Sequence, residues 1–156
     1  MNQPTLRSFK RKIFLLGLFK IPMIWFVKPR LIEINEERVV VKIRLRRRTK
    51  NHLNSMYFGA LSVGADIAAG IFAFYFAEIL GKRVSFAFKG IQGEFLKRAE
   101  SDVTFICDEG GLVKEAMKTS LDKGERINQV VRVFALNESK EEVAVFSMTV
   151  SVKVLD

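Results

Sequence analysis

The chain has 156 residues, 49% of them hydrophobic, with 26 Lys and Arg against 17 Asp and Glu for a formal net charge of +9. That length bounds it to one domain with room for a substantial core, and the apolar content excludes a disordered or low-complexity chain. A single cysteine, Cys107, excludes an internal disulfide and fits a reducing, cytoplasmic setting, and one histidine without HExxH or CxxC spacing gives no reason to expect a metal.

The charge is unevenly placed. Arg7, Lys10, Arg11, Lys12, Lys20, Lys28 and Arg30 all precede the first acidic residue, and Arg38, Lys42, Arg44, Arg46, Arg47, Arg48 and Lys50 form a second block without an acid. Such a surface suits partners that carry phosphates: nucleic acid, an anionic membrane surface or a phosphorylated cofactor such as coenzyme A. The plainer reading is a solvated basic face. No aromatic-basic motif of an RNA-binding type is present, so nucleic acid is not expected.

Residues 8 to 27 begin basic and turn apolar, like a secretory signal, but no small-residue cleavage site follows. Lys20 and Pro22 cut the apolar run into pieces too short to span a bilayer. The pattern predicts an amphipathic helix from Arg7 to about Lys20 that packs on the domain or touches a membrane. Residues 1–29 are thus read as a helical extension and 30–156 as the main domain.

Period-two alternation then takes over. Arg30 to Ile34 reads as a short strand, Asn35-Glu36-Glu37 as a turn, and Arg38 to Arg47 as a half-buried strand with Val39, Val41, Ile43 and Leu45 inward. Between Ser55 and Leu80 only Asp66 and Glu78 carry charge. A helix that is apolar nearly all round is enclosed by its own protein or set in a membrane. The strands on either side need something to cover, which favours enclosure, and an ionised Asp66 there costs free energy unless something pairs with it or uses it.

After Gly81 strands return. Val84 to Leu96 is long, with Gly90 and Gly93 as expected bulges. Ser101 to Cys107 is expected to pair with it through a turn at Arg98 to Ser101, with Val103, Phe105 and Cys107 inward. Leu112 to Leu121 reads as a short surface helix. Arg126 to Leu136 and Glu142 to Val154 read as a hairpin about Asn137 to Lys140. The sum is α+β: an antiparallel sheet of five or six strands around one long helix inserted after the second strand.

That order is similar to the hotdog fold, in which a curved sheet wraps a central helix. Asn51-His52, Phe58-Gly59-Ala60-Leu61 and Gly64-Ala65-Asp66 resemble the pattern of PaaI-like and related uncharacterised hotdog proteins. The resemblance runs from about Arg30 onward. It implies hydrolysis of acyl-CoA thioesters, a homodimer or tetramer with sites between subunits, and no cofactor beyond the coenzyme A of the substrate. The sequence departs from the family at Tyr57-Phe58-Gly59, where many members have His-Gly-Gly or His-Ala-Gly, and at Asn54, where a Gly is common.

Under that resemblance Asp66 is the general base or nucleophile, the alternative being a buried carboxylate satisfied by backbone or by a partner subunit. Free N–H groups at the helix start, approached over Gly59, would hold the oxyanion; Gly59 could equally serve packing alone. Asn51 would orient water or the thioester carbonyl, or cap a turn. His52, Asn54 and Tyr57 would line the substrate site, or be loop and packing residues. Arg46, Arg47, Arg48, Lys82 and Arg83 are the candidates for the phosphates, whether of coenzyme A or of an acyl carrier. Glu78 reads as a surface ion pair near Lys82 and Arg83. The rival function is a non-enzymatic hotdog that binds acyl groups or lipid, with peripheral membrane contact through the basic N-terminus.

Overall fold

The computed structural model describes residues 4–156; the first three residues of the 1–29 extension lie outside the described residues. Helices α1 (Leu6–Phe19) and α2 (Pro22–Val27) lead into β1 (Arg30–Ile34) and β2 (Val39–Ile43), and α3 (Phe58–Leu80) follows. Then come β3 (Arg83–Phe95), β4 (Val103–Cys107), α4 (Gly110–Lys123), β5 (Ile127–Leu136) and β6 (Glu142–Leu155). The six strands form one antiparallel sheet in the order β1-β2-β4-β5-β6-β3.

At 23 residues α3 extends about 34 Å, and it packs against β2, β3, β4, β5 and β6, together with α4. Its buried residues, from Ala60 and Leu61 through Phe72, Tyr75 and Ala77, point in every direction around the axis. The helix is long and apolar enough to cross a membrane, yet 78% of its most apolar window is buried within the fold. Enclosure is the reading the structure supports.

Small residues make the wrapping tight. A Cβ at Gly64 would lie 2.4 Å from the Phe105 ring of β4. Phe105 is itself fully buried between Val103 and Cys107 on the inward face, so the ring has nowhere to go. Burial also pushes the Cys107 thiol up to about 12, leaving it a small apolar side chain.

Three expectations need correction. β2 ends at Ile43 rather than Arg47, because the Asp102 carboxylate takes the Leu45 N–H (2.9 Å) and the Thr49 hydroxyl donates to the Arg44 carbonyl (2.8 Å). Those bonds turn the chain into a single 3₁₀ turn, Arg47–Thr49. Next, β3 and β4 do not form a hairpin. β3 pairs along its whole length with β6, and Leu96 and Lys97 still donate to the Val143 carbonyl before the chain crosses over. The Met56 N–H then holds Ala99 at 2.8 Å, and β4 enters between β2 and β5. Finally, the β3 irregularity falls between Phe88 and Gly90 only; Gly93 pairs regularly with Phe146.

The β5–β6 hairpin forms as expected, with Phe146, Met148, Val150, Val152 and Val154 buried. α1 packs through Phe9 and Ile13, and α4 through Val113 and Met117. Glu78 does form an ion pair, but with Lys12 of α1, which ties the N-terminal helix to the end of α3.

Gly64→Val should overpack the Phe105 contact. Overpacking costs typically about 1–3 kcal/mol, more than the fraction of a kcal/mol that Val gains over Gly in a helix. Urea denaturation should show a lower midpoint at unchanged slope; an unchanged midpoint would mean the Gly64–Phe105 approach is not a constraint.

Candidate functional site

The loop before α3 is held by one side chain. Asn51 Oδ1 accepts from the Leu53 N–H (2.9 Å), the Ser55 N–H (3.2 Å) and the Ser55 hydroxyl (3.2 Å), while its backbone N–H donates to Ser55 O (2.8 Å). Asn51 therefore caps a turn through its oxygen, and among the described residues its Nδ2 amide has no acceptor. His52 and Asn54 sit exposed on that turn, Asn54 with a left-handed backbone (φ 59°). The Tyr57 N–H bonds the Thr49 carbonyl (2.8 Å), which anchors the point where α3 begins.

Tyr57 caps α3 without a side-chain acceptor. Among the described residues the N–H groups of Phe58, Gly59 and Ala60 have no partner, and the first one used within the helix is Leu61, bonded to Tyr57 O (3.1 Å). Three donors without a protein partner thus lie at the positive end of the helix dipole. The Tyr57 ring lies directly over Gly59: a Cβ there would come within 2.4 Å of the ring. Gly59 is what lets Tyr57 fold back against the helix start.

Asp66 lies two turns into α3, mostly withdrawn from solvent. Among the described residues nothing donates a hydrogen bond to its carboxylate and no cation pairs with it. Desolvation alone raises its pKa from the ordinary 3.8 to about 6. It shares a helix face with Gly70, one turn on, over which Phe86 and Phe88 of β3 pack. At the helix start Phe58 meets Phe95, at the far end of β3, with ring centroids 6.4 Å apart. Asp66 and the β3 irregularity both fall between these two contacts, so the carboxylate sits along the edge strand of the sheet.

The structure brings Asn51, His52, Asn54, Tyr57 and Gly59 together at the N-terminal end of α3, with Asp66 about 12 Å along the axis from Phe58. Arg47 and Arg48 lie on the exposed 3₁₀ turn just before the loop. Lys82 and Arg83 do not join them in one chain: they follow the opposite end of α3 and bind Asp156, Lys82 through an ion pair at 3.3 Å and Arg83 through the backbone carbonyl at 3.0 Å. Sequence reasoning missed Phe58, Ile91 and Phe95, which are more than half exposed. The available signal was apolar residues at both parities of β3, which no strand with one solvated face requires.

A six-stranded antiparallel sheet wrapped around one long apolar helix, with the site residues at that helix's start, defines a hotdog-fold protein. By sequence, the chain belongs to the family described as a domain of unknown function, DUF4442, which it matches over residues 10–152. Among solved structures it is similar to a protein of unknown function from Chlorobaculum tepidum, at 9% identity and a TM-score of 0.83, covering 97% of this chain and 98% of that one. It is similar as well to a provisionally named thioesterase from Shewanella oneidensis (11% identity, TM-score 0.79, 94% and 99% covered). A thioesterase from Haemophilus influenzae shares the fold at 13% identity and a TM-score of 0.70, with 99% and 94% covered. No protein of curated function matches the sequence.

The raised pKa of Asp66 has a definite sign for stability. Between about pH 4 and pH 6 the folded chain holds a proton that the unfolded chain has released, so stability falls as pH rises through that window. Above about pH 6 the full cost stands, about 3 kcal/mol at most. Asp66→Asn should therefore raise the Tm at pH 8 by several degrees and leave it nearly unchanged at about pH 3, below both pKa values. An equal shift at both values would mean that the ionised carboxylate is not what strains the fold.

Proposed function

We propose that this protein hydrolyses a thioester, with Asp66 as general base and acyl-coenzyme A as the substrate class. The observation that carries the proposal is an uncompensated carboxylate on an otherwise apolar helix, poised near neutral pH. A structural aspartate would be expected to have partners, whereas a general base works best with a pKa near the operating pH. Water held by Asp66 attacks the thioester carbonyl carbon and gives its proton to the carboxylate. The oxyanion is held by helix-start N–H groups at Gly59 and Ala60, and the Asn51 Nδ2 amide is free to position water or the carbonyl. Collapse breaks the carbon–sulfur bond and expels the thiolate, which takes the proton back from Asp66 and leaves as the thiol.

The reading includes a second copy of the chain. β3 is a 13-residue edge strand, exposed along most of its length, with one side of its backbone unpaired. Such an edge is a template for another strand. Antiparallel pairing of two β3 strands about Lys89 sets Arg83 of one copy opposite Phe95 of the other. Phe95 touches Phe58, so the Lys82–Arg83 end of one copy returns to the α3 start of its mate, and Asp66 of one copy serves with Asn51 and Gly59 of the other. Phosphates of the substrate would be met there by Lys82 and Arg83 and by Arg47 and Arg48, while Tyr57, His52 and Asn54 border the entrance.

An acyl-coenzyme A panel assayed with wild type and Asp66→Asn tests the chemistry. Loss of general-base assistance should cut kcat/KM by about a hundredfold to ten-thousandfold. In wild type kcat/KM should rise with pH through about 6 and then level off. A folded Asp66→Asn variant with undiminished hydrolysis removes the base assignment. A wild type that binds but turns over no acyl-coenzyme A leaves the binding-protein reading in its place.

Assembly is tested separately. Ile91→Lys with Phe95→Lys changes two exposed side chains and should leave folding intact, yet convert the dimer to monomer and abolish turnover. Sedimentation of the wild type as a monomer would end the two-copy site.

A further inference from the structure

The N-terminal helices carry a surface that thioester hydrolysis does not use. Phe19, Met23, Phe14 and Phe26 are each more than half exposed, and Leu18 and Trp25 are about two-fifths exposed. All six come from one short run of chain, residues 14 to 26, in which no acid occurs. The Phe14 and Trp25 rings meet edge to face with centroids 5.5 Å apart, joining the outer side of α1 to α2. Phe9 and Ile13, on the opposite side of α1, are already buried in the core. The exposed side is therefore not the ordinary inward face of an amphipathic helix: it is a second apolar face, with Arg7 and Arg11 continuing it toward the N-terminus.

This patch runs directly into positive charge. Lys28 Nζ lies 5.2 Å from the Trp25 ring centroid, and the Arg48 guanidinium 5.8 Å from that of Phe26 while also donating to the Phe26 carbonyl at 3.4 Å. Beyond Phe26 opens a cleft of about 870 Å³ whose charged lining is Lys28, Arg30, Arg44, Arg46, Arg47 and Arg48, with no carboxylate. Along the chain the first acidic residue is Glu33. Exposed aromatic and aliphatic side chains bordered by cations, with no acid among them, complement the boundary between acyl chains and anionic headgroups.

We propose that the α1–α2 face docks on an anionic lipid bilayer, with Phe19, Met23 and Phe26 entering the headgroup–acyl boundary and Lys28, Arg30, Arg44 and Arg46 of the adjoining cleft lying against lipid phosphates. Peripheral attachment strengthens with the apolar area buried and with attraction to anionic lipid, and this face supplies both. Nucleic acid would use the cations and could stack on the rings, but it would gain nothing from the exposed Leu15, Leu18, Ile21 and Met23 side chains between them. The inference does not depend on Asp66 or on turnover.

The chain contains a single tryptophan, Trp25, placed on the proposed contact surface. Its emission is thus a direct readout. The full-length protein is titrated with vesicles of equimolar phosphatidylglycerol and phosphatidylcholine, and with phosphatidylcholine vesicles alone. The expected result is a blue shift and co-sedimentation with the anionic vesicles only, weakened at least tenfold on raising salt from about 0.05 to about 0.5 M. Phe19→Ser with Met23→Ser should weaken vesicle binding at least tenfold while the Tm stays put, because both side chains are exposed. Equal binding to phosphatidylcholine, or no shift with either vesicle, overturns the proposal. A fall in oligomeric mass in the double variant would assign the face to a second copy instead. Binding of a mixed-sequence RNA that the double variant retains, without vesicle binding, would assign the cations to nucleic acid.

Discussion

One constraint organises the molecule: α3 has no polar face to give to water, so everything around it must close over it. A flat sheet cannot enclose a helix, and the sheet here bends across six strands while α4 seals one flank. Small residues on α3 let the strands come close, as Phe105 over Gly64 shows most directly. The same constraint isolates Asp66. In a helix that must be apolar to be covered, a carboxylate loses water without gaining a partner, and its pKa rises for that reason alone. The fold carries a destabilising charge at the place where chemistry would use one, a pattern expected of functional rather than structural residues.

The edge strand is the second consequence. Because β3 crosses to pair with β6, the sheet ends in a long, largely exposed strand directly beside Asp66 and the α3 start. Natural sheets blunt such edges with charge, proline or short length. β3 has Lys89 and Glu94 but also Phe86, Phe88, Ile91 and Phe95, and it is the second-longest strand of the six. This is the edge that the proposed second copy would cover, and the same pairing would shield the carboxylate and donors that one chain leaves open.

How much of this was legible in the sequence depended on the range of the interaction. The α3 helix, the β5–β6 hairpin and the inward rows Val39-Val41-Ile43 and Val103-Phe105-Cys107 follow from local periodicity, and each stands where the pattern puts it. Asp66 was visible as a lone charge in an apolar run. The crossing of β3 to β6 was not, because strand pairing depends on partners about 60 residues away, and a nearby turn at Arg98 offered a plausible local alternative. The early end of β2 rests on Asp102 reaching back 57 positions to Leu45, which no window reveals. Glu78 read as an ion pair, but its partner, Lys12, comes from the far end of the sequence. The turn-capping bonds of Asn51 lie within four residues, and capping was one of its two sequence readings.

The two exposed apolar regions call for different occupants, and backbone chemistry separates them. Along β3 the unpaired amides and carbonyls demand directional hydrogen bonds as well as apolar cover, which only another polypeptide backbone supplies in register. The charges there are of both signs, so they fix alignment rather than attract a polyanion. On α1 and α2 the backbone is satisfied within the helices apart from their ends, and the outward side chains ask only for an apolar medium bounded by negative charge. No register is needed and none is encoded. A fluid bilayer surface, the occupant proposed above, would meet that requirement without directional bonds, and among the described residues the cleft beside Phe26 is lined by cations and no carboxylate.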